Sequence, residues 1–103
     1  MMKESLEKAL CRCFKKGVSL TEARHVCIAL YCSASYLPSV NSSELNKSNI
    51  AKVFSELAKT GLVRGLGCNN SDSFDSDYWL GQIDEAFKRD NFYDKNIVTS
   101  ILG

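Results

Sequence analysis

The sequence is poor in the residues that interrupt helices: 103 residues contain one proline, Pro38, and six glycines. Long stretches are therefore free to be helical, because proline and glycine are the strongest helix breakers. Histidine is nearly absent as well. His25 stands alone, and with no second imidazole it makes a poor catalytic group. The chain has no nucleophile–base pair, no glycine-rich phosphate loop and no paired carboxylates in an apolar setting, so no enzyme, metal or cofactor is expected. Long hydrophobic runs are missing too. The longest, Val26–Cys32, is seven residues, against the roughly 20 needed to span a bilayer. Acidic side chains among the first ten residues, with no apolar run behind them, argue against a signal peptide. No membrane partner and a cytoplasmic location are expected.

Five cysteines are present, an odd number without a regular framework. That suits reduced thiols better than disulfides. On one helix Cys11 and Cys13 would point about 200° apart, too far to share one ion. Cys13 and Cys27 fall in apolar stripes and are expected in the core. Cys11, flanked by Lys8, Arg12 and Lys15, is the one possible redox thiol, because thiolates need exposure and basic neighbours.

What is present is an ordinary globular balance, 45% hydrophobic and 24% charged, with a formal net charge of +1. The charge is uneven. Residues 1–25 carry six basic and three acidic side chains, residues 26–70 four and two, and residues 71–103 three and seven. A partner would meet a basic first two-thirds and an acidic last third.

Helical periodicity is clear in three places. Leu6, Ala9, Leu10, Cys13 and Phe14 share one face of a first helix, which Gly17 can end. Ser19-Leu20-Thr21-Glu22 is a capping box that opens a second helix with Ala23, Val26, Cys27, Leu30 and Tyr31 inward. Ile50, Val53, Phe54, Leu57 and Ala58 stripe a third, over about residues 46–60, with Gly61 as its stop. Ser39–Glu44 has room for one or two turns. Beyond Gly61, Leu62–Leu66 and Tyr78-Trp79-Leu80 read as strands of a hairpin around a polar tip, with Trp79 packing it onto the helices. A short helix near Ile83–Arg89 and a last one within Phe92–Leu102 are expected. These elements make one domain of 1–103: an N-terminal helix (1–17), a core (19–80) and a C-terminal helical tail (82–103). The fold class is mainly α with a small β-hairpin (α+β).

The run from Lys47 through Ile50, Phe54, Leu57 and Gly61-Leu62-Val63-Arg64 resembles the recognition helix and first wing strand of MarR-like and related small bacterial, phage or plasmid transcriptional regulators. With Ser19–Leu30 ahead of it, the resemblance covers about residues 19–80 and implies a winged helix-turn-helix. It further implies a regulator that binds double-stranded DNA with this helix in the major groove, as a homodimer joined by its terminal helices. Asn46, Lys47, Ser48, Asn49 and Lys52 would then face base edges or phosphates, with Arg64 on a phosphate at the wing base. The sequence departs from the family in two places. The segment ahead of the recognition helix is short, and the wing tip carries Asp72, Asp75 and Asp77, which phosphates would repel. The second expectation is therefore a protein-binding adaptor on the same scaffold, with the acidic wing toward a protein partner.

Overall fold

A computed structural model describes residues 3–64, 71–89 and 93–103. Among these residues five α-helices form a mainly helical, compact body with a radius of gyration of 12.5 Å. They are α1 (Leu6–Cys13), α2 (Leu20–Cys32), α3 (Lys47–Lys59), α4 (Ser76–Lys88) and α5 (Lys95–Leu102). Two short strands, β1 (Val18–Ser19) and β2 (Val63–Arg64), pair in parallel. Short 3-10 turns at Ala34–Tyr36, Ser42–Glu44 and Ser71–Phe74 complete the path.

Each helix starts where a short polar side chain can take up a free amide. Ser5 accepts from the Lys8 amide, Asn46 from Asn49, Asp75 from Asp77 and Asp94 from Asn96. The capping box at α2 forms in full: the Glu22 amide donates to Ser19 Oγ (3.1 Å) and the Ser19 amide to Glu22 Oε1 (2.9 Å). The far end of α3 closes just as locally. Gly61 takes φ +86°, its amide donates to Ala58 O and the Leu62 amide donates to Leu57 O. This paired closure satisfies two carbonyls left open by the last turn.

α3 is the centre of the molecule and packs on α1, α2 and α4. Phe54 meets Phe14, just past the end of α1, edge-on at 6.0 Å and Trp79 of α4 at 5.1 Å. All three aromatic rings are fully buried, with Leu6, Leu10, Ile50, Leu57 and Ile83 around them. The Trp79 indole N–H donates to Ser73 O at 2.8 Å, so the buried ring leaves no donor unmet. α5 lies on α2 and buries Val98.

The expected hairpin is not what forms. Tyr78-Trp79-Leu80 lies inside α4, which begins at Ser76 rather than near Ile83. Asp75 supplies the cap, and Trp79, Ile83 and Ala86 repeat at helical spacing on its buried side. β2 does exist, at Val63-Arg64, but its partner is β1, with Val18 opposite Val63 and Ser19 opposite Arg64. The described residues thus hold no wing of the expected kind. Gly65 and Leu66 of the expected first strand and part of the tip, Cys68, Asn69 and Asn70 included, lie outside them, as does Phe92 at the start of the expected tail. The segment Ser39–Glu44 supplies only the turn Ser42–Glu44. Tyr31, expected inward on α2, is 40% exposed.

Gly81 discriminates sharply between helix and hairpin. It sits in the middle of α4, and a Cβ there would meet nothing within 4 Å. Gly81→Ala is expected to stabilise the fold by about 0.5–1 kcal/mol, the helix-propensity difference between the two residues. Urea unfolding would register this as a higher midpoint at an unchanged slope. A loss of stability would mean that the segment is not helical.

Candidate nucleic-acid interface

α3 is too enclosed to present a broad face. Ile50, Ala51, Val53, Phe54, Ser55, Leu57 and Ala58 are all buried, which on a helical wheel takes up more than half of its circumference. A narrow outward strip is left, with Ser48, Lys52 and Lys59 exposed along it.

The candidate contact residues divide accordingly. The Asn46 side chain is occupied at both ends: its oxygen accepts from the Asn49 amide (2.9 Å) and its nitrogen donates to Ser43 O (3.1 Å). The Asn49 side chain is half-buried and donates to Glu44 O at 2.8 Å. Lys47 turns sideways and pairs with Asp84 of α4, a hydrogen bond that holds its ammonium above the usual lysine range. These three residues tie α3 to its surroundings. Ser48 and Lys52 stay exposed on the strip, and among the described residues Lys52 has no ion-pair partner. Lys59 pairs with Glu56 at 3.5 Å, within its own helix.

Arg64 goes elsewhere. The β1–β2 pairing carries it across to the end of α1, where its guanidinium lies against Gly17. Gly17 has φ +82°, and a Cβ built on it would stand 2.8 Å from Arg64 Nε. The absence of a side chain at position 17 therefore lets the guanidinium approach the backbone closely. Lys15 and Lys16 immediately precede Gly17, and both are exposed. Among the described residues neither they nor Arg64 forms an ion pair. The acidic neighbour in this cleft, Glu22, has its carboxylate engaged in the α2 capping box. Ser100 and Ile101 of α5 form the opposite wall, and the cleft encloses about 420 Å³. Lys15 and Lys16 line this cleft and Arg64 rests on Gly17 beside them, so two places in the chain supply the cations.

The cysteines separate by burial. Cys27 is fully enclosed, and burial pushes its thiol strongly up, so it stays neutral and inert. Cys13 is half-buried and shifted in the same direction, whereas Cys11 is exposed. Cys68 lies outside the described residues. Among the described residues no group of His, Cys, Asp and Glu is placed to hold a metal ion, and no helix is long and apolar enough to cross a membrane.

Gly17→Ala is expected to cost more than Gly61→Ala. Both force a left-handed residue, worth about 1–2 kcal/mol. Only at Gly17 does the new methyl also meet a side chain, since nothing lies within 4 Å of a Cβ at Gly61. Denaturant midpoints of the two variants would show the order; equal losses would mean that Arg64 does not rest on Gly17.

Models of protein families, curated protein sequences and solved structures all return no match to this chain.

Proposed function

We propose that this chain is a DNA-binding regulator with a helix-turn-helix-like centre and, among the described residues, no hairpin wing, and that it grips the phosphate backbone mainly through Lys15, Lys16 and Arg64. One observation supports the reading above all: β-pairing gathers these cations beside Gly17 with no carboxylate paired to them among the described residues. Phosphate contacts of this kind position a protein on a duplex. Lys52 and Ser48, on the outward strip of α3, are the residues left to approach base edges. Lys47, Asn46 and Asn49 act one step back, by holding α3 in place. A homodimer would supply two such surfaces for two half-sites. The apolar face of α1 points into the chain's own core, whereas α5 buries Val98 and leaves Ile97, Ile101 and Leu102 half-buried, so the contact between copies would use the outer face of α1 and the half-covered side of α5.

The test is fluorescence anisotropy with a labelled duplex across a salt series. Log affinity should fall linearly with log salt at a slope of about −3 to −4, the value for a handful of phosphate contacts. A flat response, or no binding at low salt, would contradict the reading.

A different observation favours a second reading. Tyr31 and Phe87 are 40% and 47% exposed and pack edge to face at 5.6 Å on the α2–α4 side. Exposed aromatic pairs are common anchors for protein partners, and Lys47–Asp84 offers polar groups on α3 and α4. In this reading the chain is an adaptor. Its former wing acids, Asp75 and Asp77, form the start of α4. This adaptor would not bind DNA: the parent would show no affinity for a duplex at low salt, and Phe87→Ser would abolish partner binding.

A further inference from the structure

A groove of about 210 Å³ runs between α2 and α4, on a different part of the surface from the cationic cleft. We propose that it is a binding site for a small anion bearing a phosphate or carboxylate group. The proposal is independent of the DNA reading.

Three observations point to this ligand chemistry. Arg24 and Arg89 line opposite walls of the groove. Arg89 is held by Glu85 at 3.0 Å, whereas Arg24 has no ion-pair partner among the described residues. Among the described residues two guanidiniums therefore meet one carboxylate, and a single anionic group would balance them. Arginine suits that role because its planar fork matches carboxylate and phosphate oxygens. His25 supplies the second observation. Its Nδ1 accepts the Asp94 amide at 2.9 Å, so the neutral ring carries its proton on Nε2 and keeps a donor to offer. The third is the floor. Ile28 and Ala86 are 6% and 7% exposed, and apolar backing strengthens a charge pair formed above it. The volume lies under the range of about 300–1,000 Å³ typical of larger ligand pockets, which suits a small ion.

Occupancy would reach beyond the groove. The Asp94 amide that His25 holds belongs to the N-cap of α5, and the other end of α5 walls the cleft with Lys15 and Lys16. A ligand that fixes the His25 ring would also fix α5 along its length.

The experiment is an amide-shift titration of the whole chain with inorganic phosphate, and separately with acetate, at constant ionic strength. Saturable shifts at Arg24, His25, Glu85 and Arg89 are expected. Arg24→Gln should weaken the affinity about tenfold, the loss of one charge-assisted contact. Glu85→Gln should tighten it several-fold by removing the competing carboxylate. Both positions are exposed, and an otherwise unchanged spectrum would report an intact fold. Response to phosphate alone would assign the site to phosphate esters, and response to both ions would extend it to carboxylates. Shifts confined to Lys15, Lys16 and Arg64, or an affinity unmoved by either variant, would overturn the proposal.

Discussion

Trp79→Ala is expected to destabilise the protein by about 3–5 kcal/mol, the range for removing a large buried aromatic. The side chain is fully buried and lies against Phe54 at 5.1 Å and Tyr78 at 5.2 Å. It joins the central helix to α4, and its N–H reaches back to Ser73 in the preceding turn. A domain of this length has a total stability of only about 5–15 kcal/mol, so the variant should be marginal and prone to unfold on mild warming. Trp79→Phe separates the two contributions. It keeps most of the ring and removes the donor to Ser73 O, for an expected cost of about 1–3 kcal/mol. Chemical denaturation of both variants at a common temperature would check the order. A loss below about 1 kcal/mol for Trp79→Ala would mean that Trp79 is not in the core.

The triple substitution Lys15→Gln, Lys16→Gln and Arg64→Gln is expected to lower affinity for duplex DNA about a hundredfold or more near physiological salt. It should also flatten the salt dependence by about one unit of slope per residue removed. Arg64→Gln alone should account for about one of those units, and so should Lys52→Gln. Lys47→Gln should do less than either, because its ammonium already faces Asp84. The side chains of Lys15, Lys16 and Arg64 are exposed, so thermal unfolding of the triple variant should match the parent. That match is what separates lost binding from lost folding.

The parts of the fold legible in the sequence are those fixed by near neighbours in the chain. The capping box at Ser19, the stop at Gly61 and the apolar stripes of α1, α2 and α3 all depend on residues within a turn or two. The hairpin failed for a related reason. Tyr78-Trp79-Leu80 has the aromatic texture of a strand, and that texture outweighed a better signal beside it. Asp75 is a good N-cap, Asp77 suits the first turn of a helix, and Trp79, Ile83 and Ala86 follow at helical spacing. The pairing of β1 with β2 was not legible at all. Two residues carry no usable alternation, and the contact depends on how α1 and α3 pack.

The candidate site shows the same limit. Periodicity reads the apolar stripe of α3 and says nothing of Lys47 and Asn49 beyond their polarity. It could not show that Asp84 and the Glu44 carbonyl wait there to receive them. Nor could it bring Arg64 to Lys15 and Lys16, which lie far apart in the chain. Lys52 is the residue on which periodicity and tertiary structure agree: it is off the stripe, exposed and unpaired among the described residues.

The most direct test of DNA binding through the cationic cleft is an amide-shift map of the whole chain titrated with a short duplex at low salt. The expected result is a set of shifts centred on Lys15, Lys16, Gly17, Val63 and Arg64, extending to Lys52 and fading as salt is raised. Shifts centred instead on Tyr31 and Phe87, or none at all, would contradict it.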